Sequence, residues 1–348
     1  MANFEAAALA AIALRAEAMW TGAQALNNPV NAEAARAVLV NQTAQFREFD
    51  DYTTKNKKVN VTWLDTCDLV DEECEPNCEI TGPEIDAQVE EYEPTICRKI
   101  DFSVDETAGR DDIYTVQEKS AAALSRAIGK LDEFWARQVM SSLDLYAGVN
   151  AFPAPWTYDA ANRTTNIPAA QYNLSMYANL ILQAQRNNLG NAYFIENGDL
   201  MAELLNAQLD GGNWDGKGDL ARSQALRMYH DLFNFGKAGV TDSLFAINPN
   251  AVAMKTVNYN ADSPKTLGGT VQQVVYTVPS RVLPGVKYDV YYSFTCTTPA
   301  GAARAHYVHA WRIETNGFVA LNPTDCPITV GGTEVNPTGV LGYTKVTE

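Results

Sequence analysis

Three observations predict an α+β fold organised around one very long helix. Apolar residues recur at three- and four-residue steps between Asp112 and Tyr146, at Ile113, Val116, Leu124, Ile128, Leu131, Trp135, Val139, Leu143 and Tyr146. That spacing keeps one face of a single rod buried. Farther along, Val286, Tyr288, Val290, Tyr292 and Phe294 alternate with other residues, and Tyr307, His309, Trp311 and Ile313 answer them. Alternation of this kind marks two long antiparallel strands, placed to cover the helix's apolar face. Between these regions, shorter helical and strand-like stretches follow one another as in a small α/β lobe.

The helix is the organising element. Asp111 and Asp112 are candidate caps at the positive end of its dipole. Gly148 is a candidate stop, and Pro153 and Pro155 forbid continuation. Some 34 residues at about 1.5 Å each give a rod of roughly 50 Å, scaffold-sized rather than pocket-sized. Gly129 alone interrupts it, and one glycine bends a helix more readily than it ends one.

Composition narrows the function classes. The chain has 348 residues, 46% hydrophobic and 20% charged, enough for a sizeable core and against wholesale disorder. No apolar run reaches membrane-spanning length. The alanine-rich stretch Ala6 to Met19 is a poor secretory leader: Glu5 stands where a basic region belongs, and Arg15 and Glu17 interrupt it. It reads as an amphipathic helix in a protein made and used without secretion. The Asn-x-Ser/Thr triplets at Asn41, Asn60, Asn162 and Asn173 are then chance matches. A net charge of −16, with no long Lys/Arg run, argues against sequence-specific nucleic-acid binding. Such a surface can still enclose nucleic acid without adhering to it.

In chain order, Ala2 to Trp20 and Asn31 to Gln42 read as thin alanine-rich helices, the second capped by Asn31. Helices of this kind dock on something larger. Val59, Val61 and Trp63 alternate as in a strand. A return strand is expected from Glu84 through Val89, Tyr92, Ile96 and Ile100 to Phe102. The tip between them, Asp65 to Pro83, is turn-rich, and about a dozen acids with no base fall between Asp65 and Glu93. A two-stranded hairpin is marginal in water, so this one is expected to lie along a neighbouring copy, with Trp63, Val59 and Val61 as apolar interface anchors.

Ala151 to Ala170 is a Pro- and Asn-rich connection. The lobe then reads as a helix at Asn173 to Leu189, a strand at Ala192 to Ile195, and helices at Asp199 to Leu209 and Leu220 to Leu232. Strands at Ser243 to Ile247 and Ala251 to Lys255 follow, joined by the turn Asn248-Pro249-Asn250. No internal repeat or heptad array is present.

This order resembles the major capsid proteins of tailed bacteriophages, the Hong Kong 97-like fold. The resemblance covers roughly Ala2 to Pro327. It rests most on the passage from Ile96-Cys97-Arg98 through Phe102 into the helix, on Ala192-Tyr193-Phe194-Ile195, and on Ser243-Leu244-Phe245-Ala246-Ile247-Asn248-Pro249. It implies an N-terminal arm (1–54), an extended loop hairpin (55–108), a spine helix with the start of a peripheral domain (109–170), an axial domain (171–268) and peripheral-domain strands (269–327). The segment 328–348 matches no part. The implied function is structural: hexamers and pentamers in an icosahedral virion shell around double-stranded DNA, assembled in the host cytoplasm. Portal, scaffolding and decoration proteins are the implied partners, and no enzyme activity or cofactor is implied.

The residues also permit other chemistry. Cys67, Cys74, Cys78 and Cys97 fall in the hairpin, and Cys296 and Cys326 later. Of the spacings only Cys74 to Cys78 suits a zinc knuckle, so zinc, disulfides formed after release, and inert thiols all remain open. Asp210 to Asp219 is glycine-rich but has Gly218 where a phosphate loop needs Ser or Thr. As a calcium loop it has Gly211 and Arg222 at ligand positions; a surface loop is the expectation. His306 and His309 fall on opposite faces of a strand. Some capsid proteins of this family cross-link through lysine and asparagine, and nothing singles out Lys55, Lys57 or Lys58 for that role. Two alternatives stand beside the capsid reading: an encapsulin-like shell around protein cargo, and a metal-dependent enzyme using the cysteines or the Asp-rich loop.

Overall fold

The computed structural model describes residues 6–21, 30–50, 57–64, 87–106, 114–203, 227–232, 242–267, 273–298, 305–323 and 327–347. In chain order the elements are α1 (Ala6–Thr21), α2 (Glu33–Asn41), β1 (Gln45–Asp50), β2 (Lys57–Leu64), β3 (Ala87–Tyr92), β4 (Ile96–Asp105) and α3 (Val116–Tyr146). There follow β5 (Thr157–Asp159), β6 (Thr164–Pro168), α4 (Tyr177–Arg186), β7 (Tyr193–Glu196), β8 (Met228–His230), β9 (Leu244–Ile247) and β10 (Val252–Val257). The remainder is β: β11 (Lys265–Leu267), β12 (Gln273–Pro279), β13 (Lys287–Thr297), β14 (His306–Leu321), β15 (Ile328–Val330), β16 (Thr333–Val335) and β17 (Val340–Val346). The fold is α+β. Two compact units are present, one of 1–32, 93–135 and 255–318, the other of 33–92, 136–254 and 319–348.

In the first unit, β11, β12, β13 and β14 lie side by side, and β4 pairs with the other edge of β14. The two long strands expected from alternation pair antiparallel, with Val290 opposite Ile313, Tyr292 opposite Trp311, and Phe294 opposite His309. The long helix begins at Val116, later than the apolar pattern suggested, because Thr115 and Glu118 close a capping box. The Thr115 amide reaches Glu118 Oε2 at 2.8 Å, and the Glu118 amide reaches Thr115 Oγ1 at 3.2 Å. Asp111, Asp112 and Ile113 lie outside the described residues. Leu124, Ile128, Leu131 and Trp135 are buried as their spacing requires, and Trp135 Nε1 donates to Thr315 Oγ1 on β14 at 2.9 Å. A side chain at Gly317 would meet the Lys255 carbonyl at 2.4 Å and the Trp135 ring at 2.8 Å. The close approach of these segments therefore needs glycine there.

The second unit is built on a mixed sheet, β5-β6-β17-β9-β7-β8. On one face Phe194, Leu244, Ala246, Leu341 and Tyr343 pack with Tyr177, Leu180 and Ala184 of α4. The opposite side chains Tyr193, Ile195, Phe245, Ile247 and Val340 are equally buried. The segment 328–348, for which the sequence offered no assignment, thus supplies the strand β17, parallel to β6 and antiparallel to β9. The α2 amide of Ala34 is capped from a distance by Asp231 Oδ2 at 3.1 Å.

Three expectations are corrected. The return strand 84–102 is two strands: β3 pairs with β2, whereas β4 pairs with β14. The hairpin is not two-stranded, because β1 adds a third strand beside β2. The end of the expected helix 220–232 is the strand β8, drawn into parallel pairing with β7; the rest of that stretch lies outside the described residues.

Candidate functional site

The sheet β1-β2-β3 carries the three residues singled out as interface anchors. Partners in register share a face. Phe46 and Glu90 flank Val61, and Glu48 and Tyr92 flank Val59. Val59, Val61 and Trp63 have no accessible surface in the single chain. Their apolar area is already covered, so a contact with a neighbour has to be sought on the other face. Beside them Tyr92 donates to Glu90 Oε2 at 2.5 Å, and burial, reinforced by Glu90, pushes its hydroxyl well above the usual tyrosine range.

The other face presents Arg47, Phe49, Lys58, Asn60, Thr62, Val89 and Glu91, as the register dictates. On this face Lys58 Nζ meets Glu91 at 2.6 Å; Lys57 and Glu48, 4.0 Å apart, belong to the covered face. Val89 is 57% exposed amid this polar frame. An exposed aliphatic on a sheet face, ringed by charges, suits a partner surface better than a pocket. Sequence reading missed Phe46 and Phe49, since Gln45 to Asp50 lacks strict alternation.

The remaining candidates do not converge. Cys97 on β4 and Cys296 on β13 are free and exposed; Cys67, Cys74, Cys78 and Cys326 lie outside the described residues, as do Lys55, the acidic tip and the loop Asp210 to Asp219. Among the described residues no three His, Cys, Asp or Glu side chains gather as a metal site. His306 Nδ1 meets Asp105 at 2.9 Å, whereas His309 faces the core, 2.9 Å from the Tyr292 hydroxyl and 3.5 Å from Glu106. Burial holds the His309 imidazole below its ordinary pKa, with Glu106 opposing. His230 contacts Glu196, a buried carboxylate whose other oxygen accepts the Gly198 amide at 2.8 Å and the Leu200 amide at 3.3 Å. That acid anchors a helix start.

A trough of about 610 Å³ crosses β4, β14, β13 and β12 on the face turned away from α3. Its floor is the in-register row Ser103, Ala310, Ser293 and Gln273. Arg312 meets Asp101 at 2.8 Å on its wall, both about half exposed. The pair is solvated and stands over small side chains.

No family model and no curated protein matches the sequence. Solved structures do. A chain from Mycobacterium phage Adephagia is 12% identical, with 94% of each chain covered and a TM-score of 0.46. The capsid of a native GTA particle is 10% identical, covering 94% of this chain and 97% of that one, with a TM-score of 0.44. The capsid of the cyanophage P-SCSP1u is 9% identical, covering 87% and 86%, with a TM-score of 0.41.

Proposed function

We propose that this chain is the major capsid protein of a tailed-phage-like particle, assembling as hexamers and pentamers into an icosahedral shell around double-stranded DNA. The observation that carries the reading is the order of parts. Two N-terminal helices, a three-stranded sheet with a polar-framed outer face, a 31-residue helix, a compact lobe and a 16-residue returning strand follow one another. This is the order of arm, extended loop, spine helix, axial domain and peripheral strands in the Hong Kong 97-like arrangement. A net charge of −16 fits a container that releases its polyanion rather than gripping it. The role is structural and non-enzymatic, with other copies, portal, scaffolding and decoration proteins as partners, and the virion is its place.

Electron microscopy and size exclusion of the protein, alone and co-expressed with a portal and scaffold, test the reading. Closed shells are expected, and a monodisperse small oligomer under every condition would refute it. Nuclease-protected DNA separates a virion shell from an encapsulin-like one, which would enclose protein. Val89→Asp sharpens the test. The fold is expected to stay within about 0.5 kcal/mol of wild type, as for ordinary surface changes, while particle yield falls. Circular dichroism and particle counts read the two properties separately.

A further inference from the structure

Asp132 lies on the buried face of α3 with no accessible surface. Its Oδ1 accepts Ser280 Oγ at 2.6 Å and the Tyr288 hydroxyl at 2.5 Å. These donors come from the turn after β12 and from β13, so one carboxyl ties the helix to the sheet beneath it. Ser280 Oγ in turn accepts the Val282 amide at 3.2 Å and the Leu283 amide at 2.9 Å, which fixes its hydrogen on Asp132. Oδ2 has no hydrogen-bond partner among the described residues. The charged groups bearing on the site are Arg281, on the same turn, and Glu133, next on the helix. Arg281 Nη1 is directed at Ser125 Oγ, 2.9 Å away. A buried carboxylate with one oxygen unpaired is far costlier than a neutral acid in the same place.

We propose that Asp132 is a proton-binding switch: protonated, it pins the first part of α3 to the β12–β13 turn, and on losing its proton it loosens that contact. Burial pushes its carboxyl up to about 7, against the opposing pull of Ser280, Tyr288 and Arg281, so the change falls at a pH a protein meets in use. The inference rests on the first unit alone and stands whether or not the chain forms shells.

Denaturant midpoints of the full-length protein, taken from about pH 6 to about pH 8, test it. The wild-type midpoint is expected to fall as pH rises, and Asp132→Asn to hold its midpoint flat across that window and exceed wild type at the alkaline end. Parallel curves for the two proteins would overturn the proposal. Should Asp132→Asn fail to fold, Tyr288→Phe decides. Removing a donor to the charged form must move the wild-type transition to higher pH, whereas a merely structural hydroxyl would lower stability without moving it. Infrared spectra in the background of Asp242→Asn add an independent reading: a protonated-carboxyl band is expected at the acid end and lost at the alkaline end. A spectrum without that titrating band would equally sink the idea.

Discussion

Two buried aspartates, one in each unit, solve the same problem differently. Asp132 sits in a helix and Asp242 just ahead of β9, and each accepts two hydroxyl hydrogen bonds on Oδ1. For Asp242 the donors are Thr164 at 2.5 Å and Thr344 at 2.6 Å, from β6 and β17. Its Oδ2 lies where a side chain on Gly342 would sit, 1.9 Å from that position, so the absent Cβ makes room for the acid. Burial raises Asp242 to about 6 and Asp132 to about 7. The ordering fits an acid that is 3% exposed beside one with no exposure. Two hydroxyls do not make burial of a carboxylate cheap, and the deeper site holds its proton more firmly.

Leu131→Pro is the severest way to break this comparison. A proline in the helix interior costs about 3 kcal/mol or more. It should abolish the Asp132 arrangement and the near-ultraviolet signal of Trp135, and wild-type thermal stability would show that α3 does not organise the first unit. Gly342→Ala attacks the other aspartate. Overpacking costs about 1–3 kcal/mol, and here the displaced group is a carboxylate held by two threonines. The expected loss is at the upper end, read as a denaturant midpoint.

Asp242→Asn separates the two titrations. Asp242 moves from 3.8 unfolded to about 6 folded, so the folded state binds its proton more tightly. Its contribution is greatest in acid, fades as pH rises through about 6 and is flat above. The variant should lose the part of the pH dependence that Asp242 contributes up to about pH 6 and keep the part that Asp132 contributes up to about pH 7. A stability–pH curve unchanged from wild type would remove Asp242 from the account. Thr344→Val is the mildest test. It removes one of two donors, and a destabilisation of about 1–2 kcal/mol is expected in thermal melts.

Much of this architecture was legible where burial is one-sided. Trp135, Leu131 and Leu124 announced the helix because one of its faces stays wet. Tyr288 to Phe294 and Tyr307 to Ile313 announced their strands for the same reason. The strand β7 was found from a short apolar run. β17 was not, because Val340-Leu341-Gly342-Tyr343 is buried on both faces and contains a glycine that reads as a turn. Asp242 explains that glycine, and no periodicity reveals an acid whose Thr344 contact is 102 positions away. Val59, Val61 and Trp63, expected as interface anchors, are covered within the single chain. Alternation gave the correct face of β2, but a buried pattern does not say whether the cover belongs to the same chain, and the third strand β1 went unseen.

The pairing of β4 with β14 carries a consequence for synthesis. Asp105 and His306, in contact across it, are 201 positions apart, and Asp101 and Arg312 are 211 apart. At roughly 5–20 residues per second, a ribosome needs on the order of ten to forty seconds to deliver the second strand after the first. For that interval the apolar stripe of α3 and the open edge of β4 emerge without their covering sheet. The nascent chain has to be shielded from its siblings just when, in a cell making many copies, they are most crowded. The charged run Arg98-Lys99 and Asp101 along β4 is suited to that interval, since charges on an unpaired edge discourage strand-to-strand association before the proper partner arrives.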